Sequence, residues 1–467
     1  MMCLARGFSI SLLLLLSAAC TVGPNYQRPK TDIPGGYRGV PTTTPVAVSS
    51  ESLGDAKWWD VFHDQQLQAL IRTALEQNYD VRIAAERILA AQAQLRIARS
   101  DQYPAAGVGV GGTTEREASS PFFGAYRWDY LQVGGAATWD IDFWGKYRRA
   151  TEAARANLAQ TEWGKRAVVS TLVANVAGAY FQLRALDLQI DVTQRTLASR
   201  QESLRLTKLL ADHGAVSMVD VRQAEQLVYV ASATLPDLQR QNEQEENYLS
   251  FLLAQNPHAI PRGRSLTDQA RPPVVPAGLP SQLLERRPDI HESEEQLIAA
   301  NAQIGVARAA YFPSISLTGT AGFLSSALSD LFTKPAGTWN VAASVAQPLF
   351  TAGKLQANVR LAEAQQRQAL LAYQQTIQNA FRDVSDALVA YQKTREAREQ
   401  QELLVAAAQD SARLAHVRYD GGRTTYLEVL TNEANYLAAE LALSQARRNE
   451  MLSLVQIYSA LGGGWQQ

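Results

Sequence analysis

Asp140 and Asp142, two residues apart, are the nearest this chain comes to a pair of catalytic carboxylates. Acid–base catalysis needs two such groups in environments that separate their proton affinities. In Thr138-Trp139-Asp140-Ile141-Asp142-Phe143 the spacing instead puts both acids on one face of a strand, which a water-filled lumen explains better. Gly107-Val108-Gly109-Val110-Gly111-Gly112 contains the glycine spacing of a nucleotide-binding turn. Such a turn must open a helix, and here a polar hairpin loop follows. Gly145-Lys146 lacks the context of a phosphate loop, and the five histidines are scattered without metal-ligand spacing. With no nucleophile–base or metal constellation, the chain reads as a protein without chemistry of its own. Two acids remain of interest, Asp220 and Glu428, each in the first turns of a helix that follows a glycine break. Acids there complement the helix dipole by about 0.3–1 kcal/mol.

The cysteines say where the chain works. There are two, Cys3 and Cys20. Arg6, the apolar stretch Ile10 to Leu16 and the small residues Ser17-Ala18-Ala19 read as an export signal over residues 1–19. Leu16-Ser17-Ala18-Ala19-Cys20 resembles a bacterial lipobox, in which Cys20 is acylated and becomes the new N-terminus. Thr21 in place of Asp after that cysteine favours the outer membrane. Cys3 leaves with the signal, so no thiol remains for disulfides, metal binding or nucleophilic catalysis. A formal charge of −1 over 467 residues leaves no electrostatic footprint for nucleic acid. Beyond the leader, no stretch is apolar and long enough to be a transmembrane helix. Entry into a membrane would have to be by β-strands.

The elements form a sentence said twice. Gly145-Lys146 recurs as Gly353-Lys354, Gly214 as Gly422 and Asp220 as Glu428, each 208 residues on. Ala98-Arg99 and Pro104 recur as Ala307-Arg308 and Pro313, one residue further apart. The expected organisation begins with an extended, acylated arm over 20–57. The first repeat spans 58–256, with helices broken near Asn78, a hairpin at 104–143 and long helices at 148–212 and 217–255. A Pro-rich connector covers 257–280. The second repeat spans 281–461, with helix 289–310, hairpin 313–350 and long helices 355–418 and 425–461, before a tail at 462–467. The first long helix would be roughly 95 Å long. Val221, Ala224, Val228, Ala231, Leu235 and Leu238 alternate three and four apart, as in a coiled coil. Pro236 is expected to interrupt and kink that helix.

The hairpins carry the membrane argument. Ser314-Ile315-Ser316-Leu317-Thr318 alternates apolar and hydroxyl side chains, as a barrel wall between lipid and a wet lumen requires. Trp128, Trp139, Trp144 and Trp339 fall near strand ends, where an interfacial girdle would lie. Four strands cannot close a barrel, and open edges are not tolerated in lipid. Three chains would supply twelve.

The chain also resembles the outer membrane factor family of TolC/OprM-like channels, in its NodT-type lipoprotein branch. The resemblance rests on Cys20-Thr21-Val22-Gly23-Pro24-Asn25-Tyr26-Gln27-Arg28-Pro29, on Leu279-Pro280-Ser281-Gln282-Leu283-Leu284-Glu285-Arg286-Arg287-Pro288-Asp289-Ile290 and on Arg308-Ala309-Ala310-Tyr311-Phe312-Pro313. It covers essentially the whole mature chain. It implies a mainly α fold with a transmembrane β-barrel: a homotrimer with a twelve-stranded barrel in the outer membrane and an α-helical tunnel through the periplasm. The implied partners are a periplasmic adaptor (membrane fusion protein) and an inner-membrane efflux transporter, most simply of the RND type. The implied function is a passive duct exporting drugs or metal ions, with no cofactor beyond the lipid on Cys20. The turns around Gly214, Ala215, Val216 and Ser217, and around Gly421, Gly422 and Thr424, would form the tip that contacts the adaptor. Glu428 falls where related channels carry a gate acid, and three copies each of Glu428 and Asp220 would make a cation-attracting ring. Tyr419 and Arg423 resemble the residues that tie neighbouring coils shut. The alternatives are a type I protein secretion duct and a non-conducting structural envelope lipoprotein.

Overall fold

Asn78 shows how single residues punctuate the helical sequence. Its carboxamide oxygen accepts the N–H groups of Asp80 and Val81, and its Nδ2 donates to the Leu252 carbonyl at 2.9 Å. It thereby closes one helix and caps the next. The chain, seen in a computed structural model, is described over residues 21–38, 52–118, 124–269, 275 and 278–466. The export signal, Cys20, and parts of the arm, first hairpin loop, connector and tail lie outside the described residues.

The first copy runs α1 (Trp58–Val61), α2 (Gln65–Gln77), α3 (Tyr79–Ser100), β1 (Ala105–Glu117), β2 (Tyr126–Ile141), α4 (Lys146–Asp212) and α5 (Met218–Leu252). After the connector come α6 (Pro280–Arg286), α7 (Pro288–Ala309), β3 (Ser314–Ser325), β4 (Gly337–Ala346), α8 (Lys354–Asp420) and α9 (Tyr426–Ala460). The copies match in length: α4 and α8 have 67 residues each, α5 and α9 have 35, α3 and α7 have 22. Among the described residues the protein is thus mainly helical with one sheet. Contrary to expectation, α5 is helical through Pro236. That residue is exposed, and buried Ala231 and Leu238 anchor the helix on either side of it.

Two compact units each draw on both copies. One takes the arm to Lys30 with Arg87–Glu162 and Glu292–Gln374. Its four strands form a single antiparallel sheet in the order β1-β2-β3-β4. The two hairpins are therefore joined through β2 and β3, one strand from each copy. They meet where Gly134 faces Gly322, and a Cβ on Gly322 would lie 2.3 Å from the Val133 carbonyl oxygen. The register sorts the side chains into two faces. Val108, Val110, Val133, Trp139, Leu317, Phe323, Trp339, Val341 and Val345 fall on one. Glu115, Gln132, Thr138, Asp140, Ser316, Thr318, Thr320 and Asn340 fall on the other, where the Ser316 and Ser344 hydroxyls meet at 2.6 Å. The outer edges of β1 and β4 have no partner strand among the described residues.

In the same unit the arm is pinned. The Val22 N–H donates to the Trp144 carbonyl, while buried Arg149 donates to the Val22 and Gly23 carbonyls and to Asn25. Tyr26 and Arg28 both donate to Glu294 on α7. Trp144 stacks on Phe312, with centroids 4.6 Å apart, and donates to the Pro313 carbonyl, next to the end of β2 and the start of β3.

The second unit comprises Thr31–Glu86, Trp163–His291 and Gln375–Gln467. Its apolar core gathers α1 and α2 onto the middle of α4 and the ends of α5 and α9, with Phe62 edge-on to Phe181 and Tyr458. The connector signature acts here as a clamp. Arg286 pairs with Asp55 at 2.6 Å, and Arg287 bonds Asp289, Asp383 and the Ala460 carbonyl.

Candidate functional site: the two helix turns

Leaving a long helix sharply requires a residue that accepts positive φ, and glycine does so at least cost. Gly214 has φ +71° and Gly422 φ +67°. At the first turn the Gly214 N–H bonds the Ala211 carbonyl and the Ala215 N–H the Leu210 carbonyl; at the second, Gly422 bonds Tyr419 and Arg423 bonds Arg418. The four bonds are each 2.9 Å and the pattern is one C-terminal cap, used twice. Val216 and Thr424 are half-buried, whereas Gly214, Ala215, Ser217, Gly421 and Gly422 are exposed. Around both turns large apolar side chains also face outward: Leu209, Met218 and Val219 at the first, Leu414, Val417 and Leu427 at the second.

The two acids have diverged. Asp220 completes a capping box: its carboxylate accepts the Ser217 N–H at 3.0 Å, and the Ser217 hydroxyl accepts the Asp220 N–H at 3.3 Å. At the matching place Thr425 makes no side-chain cap, and the longer Glu428 turns elsewhere. It accepts from Arg418 Nη1 at 2.6 Å and from the Thr424 hydroxyl. Glu428 is therefore a neutralised acid within one chain, its side chain 32% exposed. Arg418 escaped the sequence reading because its counterpart in the first copy is Leu210.

Tyr419 rests edge-on against Tyr426, 5.2 Å between ring centroids, over a small core of Ala224, Ala415 and Val429. Its hydroxyl is buried without a hydrogen-bond partner, and burial, with Asp220 and Asp420 nearby, raises its pKa. Burial pushes Tyr426 up to about 12. Arg423 is exposed, and among the described residues its side chain makes no ion pair or hydrogen bond.

Sequence reasoning missed a second cluster just above the turns. Arg200 of α4, only 2% exposed, donates to the Leu227 carbonyl of α5 at 3.0 Å and to the Glu433 carbonyl of α9 at 3.3 Å. The Glu433 carboxylate meets His416 Nε2 of α8 at 2.6 Å and stands 3.9 Å from Arg200 Nε. Buried Arg200, largely buried Glu433 and the 39%-exposed His416 side chain thus form one charge group that touches all four long helices. A charged residue inside an Ala-rich helix was the available signal.

The chemistry considered elsewhere dissolves in the geometry. The glycine-rich stretch lies within β1. Asp142 falls beyond the end of β2, not on a strand face with Asp140: it caps α4, accepting the Tyr147 and Arg148 N–H groups and pairing with Arg148. Asp140 accepts from the Tyr147 hydroxyl. Among the described residues no group of three or more His, Cys, Asp or Glu is placed to hold a metal ion.

Comparison with known proteins agrees with this picture of a helical duplication carrying one sheet. A family model described as outer membrane efflux protein matches residues 70–255 and 279–463. The chain is 36% identical over 463 residues to the probable efflux pump outer membrane protein TtgC of Pseudomonas putida, covering 98% of this chain and 96% of that one. It is 34% identical over 471 residues to the cation efflux system protein CusC of Escherichia coli O6:H1, covering 100% and 99%. Among solved structures, the open state of the Neisseria gonorrhoeae MtrE outer membrane channel superposes with a TM-score of 0.85 at 31% identity, covering 96% of this chain and 99% of that chain.

Proposed function

Since the chain belongs to the outer membrane efflux protein family, we propose that it is the outer membrane channel of a tripartite efflux pump. It is a passive duct for small molecules, joined to a periplasmic adaptor and an inner-membrane transporter. The observation that carries this reading is the sheet with one apolar and one polar face and two open edges. Lipid tolerates no open edge, so three copies close a twelve-stranded barrel, apolar face outward and polar face to the lumen. The acyl chain on Cys20 anchors the protein in the same membrane. In support, the residues following Cys20 are held at the lower end of β2, where Val22 meets Trp144.

The turns at Gly214 to Ser217 and Gly421 to Thr424 are the tip that meets the adaptor, which the outward apolar side chains beside them support. Asp220, Tyr419, Arg423 and Glu428 surround the constriction. The cargo classes named for relatives include antibiotics, toluene and cations. Drugs and metal ions are both within this reading. Native mass spectrometry of the detergent-extracted protein tests the assembly: a lipid-modified trimer is expected, and a monomer would contradict it.

A further inference from the structure

We propose that His416, Glu433 and Arg200 form a proton-operated clasp which holds the four long helices together above the tip and lets go when His416 loses its proton. The inference rests on the duct reading and adds its control. Its basis is connectivity: Glu433 on α9 is gripped from α8 by His416 at 2.6 Å and from α4 by Arg200, which also holds the Leu227 carbonyl of α5. Arg200 is 2% exposed, and the Glu433 side chain is 15% exposed. A buried arginine with a partly satisfied guanidinium (its Nε has no hydrogen-bond partner) is costly to hold unless its counter-charge stays in place. When His416 is neutral, Glu433 loses its charged partner at 2.6 Å and is left to Arg200 at 3.9 Å.

The surrounding charges set the sign. From α9, Glu433 faces His416, with Glu440 and Tyr436 lining the same cleft. From α4 come Arg200 and Arg195, the latter occupied by Asp191. On α8 itself Arg413 is paired with Asp410, and Asp420 lies one turn on. α5 contributes the Leu227 carbonyl. The hydrogen bond to Glu433, opposed by burial and helped by Asp420, raises the His416 pKa above its usual 6.5. The clasp is thus fully formed below the unfolded histidine pKa and is lost as pH rises through the raised folded value. His213 at the other turn contacts the Leu209 carbonyl on its own helix through its ring Nδ1, so substitutions must separate the two histidines.

The test is the planar-bilayer current of the purified protein between about pH 6 and about pH 9, with hydrogen-exchange protection, corrected for the intrinsic rate, followed over 412–433 on the same samples. The expected result is a severalfold rise in open fraction with pH and a parallel loss of protection. His416→Asn and Glu433→Gln should be open and pH-indifferent, while His213→Asn keeps the wild-type profile. Equal current and equal protection at both pH values overturn the clasp and leave the duct standing. Protection that falls with pH in a protein that never conducts keeps the clasp and overturns the duct. The wild-type profile alone can overturn the clasp, so the proposal stays open to refutation even if a variant fails to assemble.

Discussion

Arg418 and Glu428 are joined at 2.6 Å across the second helix turn, and neither the Leu210 nor the Asp220 that occupy the matching places of the first copy can make such a pair. The duplication has kept the backbone cap and changed the electrostatics. One turn is closed by a capping box, the other by an ion pair in which the Thr424 hydroxyl also takes part.

Glu428→Ala and Arg418→Ala should each raise single-channel conductance of the purified protein. Because they act as one unit, the double variant should exceed neither single by much. The pair is half-exposed, so its contribution to stability should be within about 1 kcal/mol. Conductance of the four proteins compared side by side checks this. Fully additive increases would mean that Glu428 acts alone.

Asp220→Ala removes half of a capping box and should weaken the start of α5 by about 0.5–2 kcal/mol. Hydrogen exchange is the direct measurement: the amides of Ser217 to Val221 should exchange faster, and those around Glu428 should be unaffected.

Ala254 occupies the left-handed region at φ +56°, and its counterpart 208 residues on is Gly462 at φ +83°. The hydrogen bonds are otherwise the same, with Gln255 reaching back to Ser250 and Gly463 to Tyr458. Ala254→Gly should therefore stabilise by about 0.5–1 kcal/mol, relieving the Cβ against the preceding turn. Gly462→Ala should destabilise, because its Cβ would also come within 3.2 Å of the Arg286 backbone. Thermal melts of the two variants should move in opposite directions.

Gly322→Ala should damage the sheet where the copies meet. The new methyl would fall 2.3 Å from the Val133 carbonyl oxygen and 2.5 Å from Gly134 Cα. Overpacking of this kind costs about 1–3 kcal/mol, and here it separates β2 from β3. The yield of membrane-inserted protein should fall sharply. Gly319→Ala, whose Cβ would lie 4.0 Å from the Asn340 carbonyl oxygen, an ordinary contact, should be tolerated.

Much of the fold was legible because the determinants are local and stated twice. The glycine turns, the break at Asn78 and the alternation in Ser314 to Thr318 each follow from a few neighbouring residues. The duplication showed that similar signals 208 residues apart were no accident. What stayed hidden depends on partners far apart in sequence. Nothing local says that β2 pairs with β3, or that Arg200 will meet Glu433. Pro236 misled for a related reason: an exposed proline costs one hydrogen bond, which packing on both sides outweighs. Asp142 misled because its role as a helix cap depends on where β2 stops. Of the site, the turn residues and the two acids could be found from sequence, but the partner of each acid could not. Cys20 was legible as a motif and lies outside the described residues.

The most direct test of the duct is the current carried by the detergent-extracted protein in a planar bilayer, with its oligomeric mass determined on the same sample. The account requires a trimer with a small, cation-selective conductance that increases when Glu428 is replaced by Ala. A monomer, or an oligomer that passes no current in either form, would contradict it.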